Sequence, residues 1–200
     1  MHIAIEGMDG VGKTTVCKML AEKLKFTFVE KPLHFLFDDS PQSVEQYQKI
    51  ARRVNESPDR DFTAWFYGLN NLYLYSNFKD QNIITDRHIV SNYCWSGAEC
   101  NGDIYDLLLK KIGRPDYTII LYAGPDVIEQ RLKQRDKNDP NLSKLALSEH
   151  AYARMISFCK DRKFNFTVID TFGKSPQSIV NLIVEKLYNF DFNFGDLDYE

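Results

Sequence analysis

One stretch near the start constrains this chain more than any other: Gly7-Met8-Asp9-Gly10-Val11-Gly12-Lys13-Thr14, which satisfies GxxxxGK[ST] in full. A short apolar run, His2–Glu6, leads into it, and Thr15–Leu24 then places apolar residues at helical spacing. A glycine-rich turn between a strand and a helix lets the backbone wrap closely. Successive N–H groups then converge on phosphate oxygens, with the positive N-terminal end of the helix behind them. The pattern predicts a phosphate-binding loop made of Gly7, Asp9, Gly10, Val11, Gly12, Lys13, Thr14 and Thr15. Lys13 is expected to bridge the β- and γ-phosphates of ATP, and the Thr14 hydroxyl to ligate Mg²⁺. A glycine-rich turn with an incidental lysine is the competing reading, and the strand–turn–helix setting weighs against it.

Beyond the loop, short apolar runs alternate with amphipathic ones. Phe26–Val29, Asn82–Thr85, Tyr117–Tyr122 and Phe166–Ile169 read as further strands. Helices are expected near Ser43–Val54, Phe62–Phe78, Ile104–Lys111, Pro125–Arg135, Ser148–Lys160 and Pro176–Leu187. Alternation of this kind predicts a three-layer α/β fold, a five-stranded parallel sheet flanked by helices with the phosphate loop after its first strand. The 200 residues suit one domain over 1–200, and no Pro/Gly/Ser-rich linker divides them. Two stretches break the rhythm. Lys137–Leu142 is polar, contains Asp139-Pro140 and reads as a mobile loop within a lid over about 131–147. The tail 190–200 mixes aromatics with acids and has no clear period, so packing on the domain, a dimer contact and disorder all stay open.

Composition removes several function classes. Lys and Arg number 25 against 28 Asp and Glu, with no concentrated basic run, so a nucleic-acid polymer is not an expected partner. Small anionic molecules still can bind through a few local cations. Cys17, Cys94, Cys100 and Cys159 show no CxxC or metal-ligand spacing, and free thiols are expected. No signal-peptide pattern and no membrane-length apolar stretch is visible, which leads to an expectation of a cytoplasmic protein.

The second informative motif is Asp86-Arg87-His88, at the end of the predicted third strand. A carboxylate there, beside the phosphate loop, can hold Mg²⁺ directly or through water. The adjacent arginine can make paired hydrogen bonds to an acceptor phosphate and lower its charge. That matters because nucleophile and γ-phosphate are both anionic and must be aligned against their repulsion. A strand-end salt bridge is the plain alternative. The chain lacks the NKxD that reads guanine, and this strand does not end in a pair of acids. A kinase fits better than a GTPase or a motor-type ATPase. Arg131 and Arg135 lie four apart on one helical face, either as lid cations or as a solvated face.

The run Ile5–Thr15, Asp86-Arg87-His88, Pro115-Asp116, Arg131–Arg135 and Val168-Ile169-Asp170 with Ser175-Pro176 resembles the thymidylate kinase family in order and spacing over about 1–188. That resemblance implies ATP-dependent transfer to a pyrimidine deoxynucleoside monophosphate, dTMP to dTDP, by a homodimer. It implies Asp9 contacting the acceptor sugar or its arginine neighbours, Phe66 stacking on the base, and transition-state cations supplied by Arg131 and Arg135, since the phosphate loop has Gly10 where some members have arginine. Two departures stand out. The family's Arg-Glu-Pro is Glu30-Lys31-Pro32 here, and the arginine expected four residues after Phe66 is Asn70, whose amide offers a donor and an acceptor to a base edge. Glu30 and Asn70 lean toward a deoxynucleoside kinase that phosphorylates a 5′-hydroxyl. A nucleotide-binding regulatory protein without transfer activity is the third reading, and intact Lys13, Thr14, Asp86 and Arg87 weigh against it.

Overall fold

β1 (His2–Gly7) and β4 (Tyr117–Tyr122) are apolar almost residue by residue, and both are buried along nearly their whole length. Such strands can only lie inside a sheet covered on both faces. The computed structural model, which describes residues 1–38 and 40–190, places them at its centre. The parallel sheet runs β2-β3-β1-β4-β5, with β2 (Thr27–Glu30), β3 (Ile83–Asp86) and β5 (Phe166–Asp170). Each predicted strand is present within a residue of its expected bounds.

α1 (Lys13–Leu24) leaves the phosphate loop and packs beside α8 (Pro176–Tyr188) on one face of the sheet. It stops at Lys25, whose left-handed backbone returns its N–H to the carbonyls of Ala21 and Glu22. α3 (Arg60–Phe78), α4 (Ile89–Ser96), α5 (Gly102–Ile112) and α7 (Ser148–Asp161) pack together, with α4 against β1. α3 begins at Asp59, whose carboxylate accepts from the N–H groups of Asp61 and Phe62. α2 (Pro41–Asn55) lies against α3, and α6 (Pro125–Arg135) follows β4. One continuous apolar core joins β1, β4, α1, α4, α7 and α8, with Cys17 and Cys159 as small buried members; all four cysteines are free thiols.

Three segments differ from the sequence expectation. α4 has no counterpart among the predicted helices, because six of its eight residues are buried and no polar face gives it a period. Pro32–Leu36 forms a short 3₁₀ turn after β2. Pro140–Leu147, which overlaps the end of the Lys137–Leu142 stretch read as a loop, is also 3₁₀, started by Asp139, which accepts from the N–H of Asn141. Apart from Phe190 the aromatic–acidic tail lies outside the described residues, among which no helix is long and apolar enough to cross a membrane.

The register brings the chemistry together. Ile5 of β1 and Glu30 of β2 both pair with Asp86 of β3. The phosphate loop, Asp86-Arg87 and Glu30-Lys31 therefore leave the same carboxyl edge of the sheet on three adjacent strands, the position where open α/β sheets bind ligands.

Candidate active site

The phosphate loop has the backbone its glycines allow. Gly7 has φ 136°, and a Cβ there would stand 2.4 Å from the Leu121 carbonyl oxygen. Gly10 has φ 84°, and its Cβ would stand 2.9 Å from Leu132 of α6, which closes over the loop. Lys13 folds back inside the turn and donates to the Met8 carbonyl at 2.7 Å. Its ammonium is buried, and burial, then the Arg87 charge, push its pKa down to about 8 against the pull of Asp9 and Asp86. Gly10, Gly12, Lys13, Thr14 and Thr15 line a cavity of about 440 Å³ together with Asp9, Asp86, Arg87, Lys31, Arg131 and Arg135. Gly7 and Val11 support it from beneath; the Val11 carbonyl faces the Arg131 guanidinium at 3.3 Å.

The Thr14 hydroxyl donates to an Asp86 carboxylate oxygen. Two oxygen donors from different elements thus meet at one point of the cavity, and no group of three His, Cys, Asp or Glu forms a metal cluster among the described residues. That donor set fits Mg²⁺, which prefers oxygen and takes its remaining ligands from phosphates and water.

Arg87 follows Asp86 with a left-handed backbone, φ 74°. Its guanidinium donates to Asp9 Oδ1 at 2.7 Å and to Ser91 Oγ at 2.9 Å. Beneath it lies Glu6, fully buried, which accepts from the His88 N–H at 3.0 Å and from the Ser91 hydroxyl. Burial raises the Glu6 pKa, with Ser91, Arg87 and His88 acting against it. Glu6 thereby ties the β3–α4 junction to β1 and fixes the base of Arg87. Burial would also raise Asp9, but Arg87, Lys13 and Lys144 overcome it and hold the carboxyl well below the usual range. His88 is buried, and burial pushes its pKa down to about 3, so the ring is neutral.

A second cavity, about 300 Å³, opens on the other side of Asp9 and Arg87. Asn55, Thr63, Tyr67, Asn70, Asn92 and Trp95 are among its lining residues, with Lys144 reaching in from the 3₁₀ segment. Of the two residues the sequence reading assigns to the base, Asn70 lines this cavity, as expected, and its Oδ1 accepts from the Leu33 N–H at 3.2 Å. Phe66 does not. It lines neither cavity and stacks on Tyr47 of α2, with ring centroids 6.0 Å apart. The reason is helical rotation: one position moves a side chain about 100° around the axis, and α2 covers the face that carries Phe66. The aromatic exposed to the cavity is its neighbour Tyr67, whose hydroxyl donates to Asn55 Oδ1 at 2.7 Å.

The two α6 arginines have separate anchors. Arg131 donates to Thr171 Oγ1 at 3.0 Å and to the Thr171 carbonyl at 3.1 Å, fixing α6 to the loop after β5. Arg135 pairs with Asp139. Lys144, which sequence reasoning missed, has its ammonium 3.8 Å from Asp9 Oδ2 and 5.6 Å from the Trp95 ring centroid. Ser91 and Tyr67 were also missed. Only Glu6 carried a visible signal, a carboxylate inside an otherwise apolar strand.

A phosphate loop after β1, an acid–arginine pair after β3 and a second cavity sharing that arginine define a nucleotide kinase of the phosphate-loop class. The chain belongs to the thymidylate kinase family, whose model matches residues 5–183. It is 26% identical over 185 residues to a putative adenylate kinase of Thermococcus kodakarensis, covering 92% of this chain and 84% of that one. It is 24% identical over 200 residues to a probable thymidylate kinase of Methanocaldococcus jannaschii, covering 94% and 96%. The fold is similar to that of the thymidylate kinase of Candida albicans, with TM-score 0.64 at 18% identity over 94% of this chain and 91% of the other. Its substrates are small nucleotides.

Proposed function

We propose that this kinase transfers the γ-phosphoryl group of ATP, bound with Mg²⁺, to a pyrimidine deoxynucleoside monophosphate, and that the acceptor is thymidylate. The observation that carries this reading is the placement of Arg87 and Asp9 on the border of both cavities. An arginine there meets an acceptor only if the acceptor brings an anion to the border, as a monophosphate does and a nucleoside does not. Glu30, the carboxylate that a nucleoside kinase would use as base, lines neither cavity and lies 3.3 Å from the Lys31 ammonium.

In this mechanism Lys13 and the loop N–H groups hold the β- and γ-phosphates. Thr14 and Asp86 would hold Mg²⁺ there, and the ion would supply Lewis-acid polarisation of the phosphate oxygens. Arg87 takes the acceptor phosphate and aligns one of its oxygens with the γ-phosphorus. Asp9 keeps Arg87 in that orientation, and Arg131 and Arg135 add positive charge from the lid. Asn70 supports a pyrimidine with a carbonyl edge. Its oxygen is already engaged by Leu33, which leaves the amide hydrogens of this cavity-lining residue as donors. They suit a thymine carbonyl. A homodimer fits the surface of α3, where Phe62, Trp65 and Leu69 form an exposed apolar stripe turned away from the acceptor cavity.

The test is ADP release with dTMP, dCMP, AMP and thymidine as acceptors, on the natural protein and on Arg87→Ala. The expected result is highest kcat/KM for dTMP, with the variant raising its KM about ten- to a hundredfold, the worth of lost charge-assisted hydrogen bonds. Preference for AMP would transfer the protein to the adenylate reading suggested by the name of its Thermococcus relative. Preference for thymidine would overturn the role given to Arg87.

A further inference from the structure

Strands β2 and β3 end alike. Glu30 pairs with Asp86 across the two strands, and the next residue on each is a cation, Lys31 or Arg87. Both cations have a left-handed backbone, with φ 46° at Lys31 and 74° at Arg87. Among the described residues only two other non-glycine positions share it, Lys25 and Lys163, and both follow the ends of helices, α1 and α7. There it is an ordinary way for a helix to stop. No helix stops at 31 or 87. A left-handed residue with a side chain costs about 1–2 kcal/mol, so its persistence at a strand end asks what the side chain gains in return.

At Arg87 the gain is the guanidinium's position between the two cavities. At Lys31 the side chain lines the phosphate cavity with Lys13, Thr14, Asp86 and Arg87, and it does not line the acceptor cavity. Its ammonium rests 3.3 Å from Glu30, a partner supplied by its own neighbour, and keeps a third of its surface exposed (33%). It is therefore reachable by solvent, on a residue that lines the phosphate cavity. It is also the residue at which the sequence departs from the family, which has an acid before this proline.

We propose that Lys31 is a catalytic cation of this kinase, binding an oxygen of the γ-phosphoryl group as it travels, while Arg87 beside it holds the acceptor phosphate. This inference rests on the monophosphate-kinase reading above. The phosphate loop follows β1, Arg87 follows β3 and Lys31 follows β2, at strand spacings of about 4.8 Å. The three cations thus leave neighbouring strands at one edge of the sheet and meet in the phosphate cavity. In the transfer, an acceptor phosphate oxygen bonds to the γ-phosphorus while the bond to the β,γ-bridging oxygen breaks, and that electron pair leaves on ADP. Charge on the phosphoryl oxygens must be matched throughout, and Lys31 supplies part of the match from the wall of the phosphate cavity. Glu30 holds the ammonium in place until phosphate replaces it.

Three variants test this: Lys31→Met, Lys31→Arg and Lys31→Gly, assayed for kcat, acceptor KM, ATP affinity and thermal unfolding. Lys31→Met is expected to lose about 100-fold in kcat, the scale of one transition-state donor, with ATP affinity and acceptor KM changed by less than about threefold. Lys31→Arg should recover most of that loss. Lys31→Gly relaxes the left-handed backbone, so it should unfold no earlier than the natural protein and yet be as slow as Lys31→Met. Unchanged kcat in Lys31→Met, or an effect confined to acceptor KM, would overturn the inference alone. So would failure of arginine to rescue, which would make the residue structural. A natural protein that phosphorylates no monophosphate would overturn the reading above and this inference with it.

Discussion

Lys13 titrates within reach of ordinary experiments. Its ammonium is enclosed by the loop it serves, and burial with the neighbouring Arg87 lowers its pKa from 10.5 to about 8. A bound triphosphate requires the charged form. Below pH 8 the proton is already present; above it, binding must take one up. ATP affinity is therefore expected to be flat on the acid side and to weaken about tenfold per pH unit on the alkaline side. Calorimetry in two buffers of different ionisation heat should show proton uptake rising from near zero toward one. A pH-independent affinity would mean that Lys13 stays charged when empty. The same shift has an opposite sign for folding. Between pH 8 and 10.5 the unfolded chain binds the extra proton, so stability from this residue rises with pH across that window. Below it both states are protonated and the cost of enclosing the charge is fully present.

At the scale of elements, α6 and the 3₁₀ segment after it carry four cations; Lys133 pairs with Glu129 along the helix, and the other three are each tied to something different. Arg131 holds Thr171, Arg135 holds Asp139 and Lys144 approaches Asp9. If the first two act on charge that develops during transfer, Arg131→Ala and Arg135→Ala should lower kcat at least tenfold more than they weaken ATP binding. Loss of ATP affinity alone would make them ground-state binders. How far these elements could be read beforehand depended on their periodicity. The phosphate loop, the five strands and the position of Asp86 at the end of the third were legible because motif spacing and two-sided burial leave a strong pattern. α4 was not, since a helix buried nearly all round shows no polar face. Phe66 and Tyr67 differ by one position in an aromatic-rich helix, and only the packing of α2 decides which ring meets the cavity. Lys144 is one lysine among many until the 3₁₀ turn brings it to Asp9.

For the whole molecule, the exposed stripe on α3 sets the expected assembly. Phe62, Trp65 and Leu69 are half exposed at 51%, 44% and 50%, three to four residues apart on one helical face. A second copy would cover them. Sedimentation at micromolar concentration should give the mass of two 23.3 kDa chains, and Trp65→Glu with Leu69→Glu should give one. A natural protein that sediments as a monomer would remove the dimer. A different kind of consequence lies in the contact between Gly10 and the root of α6. A side chain at position 10 begins its course against Leu132 and Ile128, and Leu132 is buried. Moving a cation from α6 into the phosphate loop would therefore displace the helix that carries the present ones. Single substitutions along that route pass through chains that have lost the fit before gaining the new charge. On the proposed role of the α6 arginines, the shape of a leucine is what keeps the charge on the helix and out of the loop.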